Sequence, residues 1–201
     1  MKKQIVFIHG GNSFSKYDTF LDSLRAREID DPLDEKVIKK WKTTIRNVFI
    51  NTHEVYYPQM PNSNNAKYLE WKIWFERYHE FLRNEVVLIG HSLGGMFLAK
   101  YLSEEKMPVR VRALYLVAAP FEPDGDDCAE FAFEIENLRR LAEQVDGVCI
   151  LHSKDDPIVP YTHALKYAEA LPDAELVTFE DKNHFLLEEF PEIIEHIQSL
   201  E

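Results

Sequence analysis

Apolar residues in this chain fall into short continuous runs that alternate with longer stretches spaced at three and four. The runs Gln4–His9, Glu54–Tyr57, Glu85–Ile89, Arg112–Ala118, Val148–His152 and Glu175–Phe179 are rich in Val, Ile, Leu and aromatic residues. Several are apolar throughout, as strands are when both faces of their sheet are covered. Between them, Ala66–Leu82 carries Leu69, Trp71, Trp74, Phe75, Tyr78 and Leu82 at helical spacing. Phe131, Ile135, Leu138 and Leu141 line one face of a helix expected to start near Asp127. Leu93–Leu102 follows the third run directly, and Phe190–Leu200 predicts a closing helix with Pro191 in its first turn. Within Phe20–Val48, the pattern Leu33, Val37, Ile38, Trp41, Ile45 reads as one amphipathic helix. Alternation of this kind predicts an α/β fold. The expected architecture is a three-layer α/β/α sandwich around a mostly parallel sheet of about six strands with right-handed crossovers.

Length and charge narrow the partners. The 201 residues suit a single domain, 1–201, with one substantial core, and an apolar fraction of 45% is far from that of a disordered chain. The formal charge of −12 argues against nucleic acid or an anionic membrane as the main partner. No apolar run approaches the roughly 18 residues that span a bilayer. Ile5–Ile8, following Met1-Lys2-Lys3, is too short for a signal peptide's apolar region and fits a buried first strand. Cys128 and Cys149 are the only cysteines, and Cys149 lies within a buried-strand pattern, which argues against a disulfide framework. These features favour a cytoplasmic location.

The chemistry enters after the third run. Glu85–Ile89 leads into Gly90-His91-Ser92-Leu93-Gly94-Gly95, and a helical pattern follows. This is the G-x-S-x-G nucleophile elbow in strand–turn–helix context, with the serine hydroxyl raised above the sheet by a strained turn. A bare G-x-S-x-G is weak, because a turn serine between punctuating glycines gives the same letters; the flanking elements make a nucleophile the better reading. An acid and a histidine should follow in that order. The run Val148–His152 ends at Asp155-Asp156-Pro157, where Asp156 is the candidate acid and Asp155 the runner-up, its bland reading being a solvated loop carboxylate or turn former. The last run ends near Asn183-His184-Phe185, which places His184 as candidate base on the same sheet edge. His91 should point away from Ser92 and pack, and His53, His79, His163 and His196 lack a partner pattern. No metal-ligand spacing is present in the sequence, and no cofactor is expected. His9-Gly10-Gly11-Asn12 resembles an oxyanion loop, with the amides of Gly11 and Leu93 as donors and Asn12 a substitute for Gly11.

Together these residues resemble the α/β-hydrolase superfamily over nearly the whole chain. Within it, Tyr57-Pro58-Gln59-Met60-Pro61-Asn62, Trp71, Gly90-His91-Ser92-Leu93-Gly94, Asp155-Asp156-Pro157 and Asn183-His184-Phe185 resemble the small, lidless serine hydrolases of the retinoblastoma-binding protein nine type. That resemblance implies a minimal fold without a cap domain and a carboxylesterase-like activity. The chain departs from the family pattern in three ways. The first loop reads His-Gly-Gly-Asn, Asn183 replaces a glycine, and Leu-x-Cys-x-Glu is unmatched because Asp126 stands two residues before Cys128.

Only Pro120–Gly147 could hold a lid, and one helix nearly fills it, so an open cleft is expected. Asn12, Phe14, Met60, Phe121 and Phe185 are the candidate substrate-binding residues, with Phe131 a further possible wall residue. The leading reading is hydrolysis of a small carboxylic ester or thioester through an acyl-serine intermediate. Amidase or peptidase work on the same triad, and a slow or inactive hydrolase-fold binding module, are the alternatives.

Overall fold

The computed structural model describes residues 2–27, 41–125 and 127–200. Among these, six strands form one wholly parallel sheet: β1 Lys3–Ile8, β2 His53–Tyr56, β3 Val86–His91, β4 Val111–Val117, β5 Val148–Ser153 and β6 Glu175–Phe179, in the order β2-β1-β3-β4-β5-β6. Each matches an expected run to within two residues at either end. The order reverses between β1 and β3, so a crevice opens there at the carboxyl ends of the strands.

Among the described residues seven α-helices accompany the sheet: α1 Tyr17–Ala26, α2 Trp41–Phe49, α3 Tyr68–Glu76, α4 Leu93–Glu104, α5 Leu138–Gln144, α6 Thr162–Ala170 and α7 Pro191–Ser199. The period-2 alternation of the strands sends Val6, Ile8, Leu88 and Leu116 into a core under α3–α6. Phe7, Ile89, Val117 and Leu151 point the other way, into a core closed by α2 and α7. These are the three expected layers. No helix among the described residues is long and apolar enough to cross a membrane.

Three helical expectations are corrected. The stretch Ala66–Leu82 is helical only over α3 and then turns through a 3₁₀ element, His79–Phe81. The reason lies on β1: the Gln4 amide donates to the Phe81 carbonyl (2.9 Å) and accepts from the Arg83 amide (2.7 Å), drawing the chain toward β3. The helix expected from Asp127 is broken into two 3₁₀ turns, Ala129–Phe131 and Ile135–Asn137, before α5. Phe131 is buried against Trp71 and Phe97, Lys100 captures the Ala132 carbonyl at 2.6 Å, and Ile135 is left exposed. In the third region, Trp41 and Ile45 do lie on an amphipathic helix, α2, whereas α1 is separate and buries no residue; Leu33, Val37 and Ile38 lie outside the described residues. Helix α6 was not expected: its apolar stripe, Ala164, Tyr167, Ala168 and Leu171, is built largely from small alanines and buries only Ala164 and Tyr167 within the helix.

Where α4 meets the sheet, two glycines leave no room for a side chain. A Cβ on Gly90 would fall 2.5 Å from the Gly95 Cα, and one on Gly94 would fall 2.3 Å from the Ile8 carbonyl oxygen. Gly94 therefore faces β1 rather than its own strand. Gly94→Ala gains the helix propensity of alanine, about 1 kcal/mol, but must part α4 from β1. We expect a net loss of about 1–3 kcal/mol, read as a lowered urea midpoint at unchanged slope. Gly147→Ala, where a Cβ meets nothing within 4 Å, should leave the midpoint nearly unmoved.

Burial also holds five imidazoles, those of His9, His79, His91, His152 and His163, below the ordinary histidine value. In the unfolded chain they take up protons near pH 6.5, while in the native state they resist. Stability should thus fall as pH drops below about 6.5 toward the depressed native values, because the unfolded state binds more protons there. Urea titrations at about pH 7.5 and about pH 5 should show the lower midpoint at the lower pH. Equal midpoints would contradict native burial of these rings in their neutral form.

Candidate active site

Ser92 lies between β3 and α4 with φ 55° and ψ −127°, a conformation sparsely populated by residues with a side chain. Such a position costs about 1–3 kcal/mol. Its amide donates to the Val117 carbonyl at 2.8 Å and its carbonyl accepts from Gly95 at 2.8 Å. The adjoining α4 buries Met96, Phe97, Leu98 and Leu102 completely. At about 1.5–3 kcal/mol for each such side chain, that burial outweighs the strain, so the turn persists.

Asp156 stands just past the end of β5. Its Oδ1 accepts the amides of Ile158 (2.8 Å) and Val159 (2.9 Å), and its Oδ2 faces His184 Nδ1 at 2.8 Å. Burial pushes this carboxyl up, but the hydrogen bonds from His184, Val159 and Ile158 prevail and hold it below the usual carboxylate value. An ionised Asp156 can only accept, so His184 carries a proton on Nδ1 in this contact. The pair is sealed, with side-chain exposures of 6% for His184 and 0% for Asp156.

Asp155 does not face His184; it is an exposed turn residue after β5 that also makes cross-loop contacts. Its Oδ1 accepts from Ser153 Oγ (2.5 Å) and from the Asn183 amide (2.9 Å), while Ser153 Oγ accepts from the Lys182 amide (2.9 Å). It thus ties the loop after β5 to the loop carrying His184. Asn183 takes φ 47°, the left-handed backbone that its family counterpart's glycine would supply. Phe185, on the other side of His184, takes φ 53°.

The loop after β1 separates the two candidate oxyanion residues. The Asn12 amide donates to the Ser63 carbonyl at 2.9 Å, which commits it to the protein. Gly11 sits so close to Ser63 that a Cβ would fall 2.6 Å from the same oxygen. His9 anchors the loop from below: Met60 donates to its Nε2 at 2.9 Å, and its Nδ1 faces the Gly10 carbonyl at 2.7 Å. Leu93 opens α4, where helix amides are left without intrahelical partners.

Gly11, Asn12, Ser92 and Leu93 line one cleft of about 300 Å³. Its other walls are Pro120, Pro123, Ile158, Val159 and Pro160, with carboxylates at Glu122, Asp124 and Asp127. Of the five candidate substrate-binding residues only Asn12 lies in this lining. Met60, Phe121 and Phe185 are core residues with 0–6% exposure, Phe14 packs on Phe20 outside the cleft, and buried Phe131, packed on Trp71, does not line it either. Large aromatics gain most by full burial, which is why they make poor guesses for an open wall. His163, which accepts the Phe121 amide at 2.9 Å, lines the cleft without any sequence signal. A larger cavity of about 480 Å³ is bordered by Gly147, Val148 and Ala174, at the opposite, amino-terminal edge of the sheet.

One group among the described residues brings three ligand-type side chains within 4.8 Å: Cys149, Glu175 and His196. His196 already meets Tyr115 Oη at 2.9 Å and Glu175 at 2.8 Å, and burial, with Glu175 nearby, pushes the Cys149 thiol up to about 12. His196, Tyr115 and Glu175 thus satisfy one another. Both cysteines are free.

Known proteins resemble this chain in sequence and fold. The YdeN protein of Bacillus subtilis is 24% identical over 191 residues, covering 94% of this chain and 89% of its own. Rat serine hydrolase RBBP9 is 28% identical over 119 residues, covering 58% of this chain and 61% of its own. In structure, the B. subtilis ydeN gene product superposes with a TM-score of 0.76 at 18% identity, over 99% of this chain and 98% of that one. An esterase domain from Rhodothermus marinus gives 0.57 at 16% identity, over 92% and 79%. These two share the α/β-hydrolase fold. The model of the serine hydrolase family matches residues 33–199, most of the chain, and to that family the chain belongs.

Proposed function

We propose that this hydrolase cleaves small carboxylic esters or thioesters through an acyl-Ser92 intermediate. The observation that carries the reading is the 2.8 Å contact between His184 Nδ1 and Asp156 Oδ2, formed at the sheet edge where Ser92 is held in its strained turn. In this reading His184 Nε2 takes the hydroxyl proton as Ser92 Oγ attacks the carbonyl carbon. The tetrahedral oxyanion is held by the amides of Gly11 and Leu93, the Asn12 amide being already spent on Ser63. Collapse expels the alcohol or thiol, which receives the proton from His184. Water then attacks the acyl-enzyme by the same route, and no cofactor is required. Asp156 keeps the imidazole in the working tautomer and balances its positive charge.

The cleft suggests the substrate's size and charge. Its volume of about 300 Å³ lies at the lower end of small-molecule sites, about 300–1,000 Å³. Prolines with Ile158 and Val159 suit a short apolar acyl group, and three carboxylates with no Lys or Arg in the lining disfavour an anionic one. The partner is thus a small neutral ester.

Hydrolysis of p-nitrophenyl acetate, butyrate and octanoate should peak at the short chains. A monosuccinate ester should be hydrolysed more slowly than the neutral butyrate. Ser92→Ala should abolish turnover, and Asp156→Asn should lower kcat by roughly 10⁴-fold through the wrong tautomer. A fluorophosphonate probe should label the wild type on Ser92. Equal, feeble activity in folded wild type and Ser92→Ala would end the enzyme reading in favour of a binding module.

A further inference from the structure

His184 is flanked on both sides by residues in left-handed backbone, Asn183 and Phe185. A loop so strained holds its shape only where the surroundings fix it. Ser153 and Asp155 bind the amides of Lys182 and Asn183, and Trp41 Nε1 donates to the Phe185 carbonyl at 2.8 Å. At His184 itself the contact comes from His91, whose Nε2 lies 2.9 Å from the His184 carbonyl oxygen.

The chemistry of that contact is settled by Lys42. Its Nζ lies 3.2 Å from His91 Nδ1, and an ammonium can only donate. His91 Nδ1 must therefore accept, which leaves the proton on Nε2 to be donated to the His184 carbonyl. The ring is buried, and tilted against the His184 ring with centroids 5.0 Å apart. We propose that His91, oriented by Lys42, is a positioning residue for the general base. The residue next to the nucleophile in sequence grips the backbone of the base, so that Ser92 and His184 are held in register by a single side chain. This assignment rests on the reading of Ser92 and His184 as nucleophile and base. Position matters at this level because a displacement of about 1 Å can cost about 10²-fold in rate.

Glutamine at position 91 can reproduce both contacts, its oxygen accepting from Lys42 and its amide donating to His184; leucine can reproduce neither. His91→Leu should lower kcat for p-nitrophenyl butyrate by about 10- to 100-fold, with KM little changed and the melting temperature showing a folded protein. His91→Gln should recover most of that loss. Wild-type kcat in a folded His91→Leu, or equal losses in both variants, would overturn the proposal. A long-range ¹H–¹⁵N spectrum of the wild type, with the His91 resonances assigned by their absence in His91→Gln, gives a readout independent of turnover. It should show His91 protonated on Nε2 and bare on Nδ1, and the opposite tautomer would overturn the proposal. Absence of Ser92-dependent turnover in the wild type would instead refute the enzyme reading, with the spectrum still deciding the Lys42–His91–His184 chain.

Discussion

Helix α4 and strands β1 and β3 approach so closely that backbone meets backbone, with no room for a Cβ at Gly90 or Gly94. The rest of the molecule is arranged around that contact. It forces the sharp turn at Ser92, sets the first amides of α4 at the carboxyl edge of the sheet, and brings the β1 loop beside them. The contact is stable because α4 is buried almost all round, its apolar side chains filling the core under α3–α6. Strain at one residue is thereby sustained by packing along a whole helix.

The second half of the site is built differently. Asp156 and His184 stand on loops, whose backbone is fixed by polar contacts while buried Phe185 and Val159 anchor them in the core. Ser153, Asp155, His91 and Trp41 each bind backbone groups of the His184 loop, and the Asp156 carboxylate is fixed by two amides of its own turn. Side chains with no expected chemical role thus set the geometry on which the chemistry depends. The cleft follows from the same logic: prolines and carboxylates form its walls, while the large aromatics are drawn into the core.

Much of this was legible in the chain itself. Strand periodicity, helix α4 and the strand–turn–helix setting of Ser92 follow from local pattern, because each is specified by residues adjacent in sequence; that Asp156 rather than Asp155 faces His184 was expected from the resemblance of the Asp-x-Ile-Val-Pro phrase to hydrolase acid loops. The placement of His184 after the last strand follows too, since parallel topology sends every such loop to one edge. The helical patterns at Ala66–Leu82 and after Asp127 misled where distant groups interrupted them, Gln4 in one case and Lys100 with the Phe131 pocket in the other.

What only the tertiary structure decided are contacts between residues far apart in the chain. That Asn12 is spent on Ser63, that Asp155 staples two loops, that His163 lines the cleft and that Lys42 sets the proton on His91 have no local signature. Hydrogen bonds of this kind depend on where elements dock, and docking is decided by the packing of whole faces. Local sequence specifies the elements and the turn that presents Ser92; the assembled core selects which polar groups find one another.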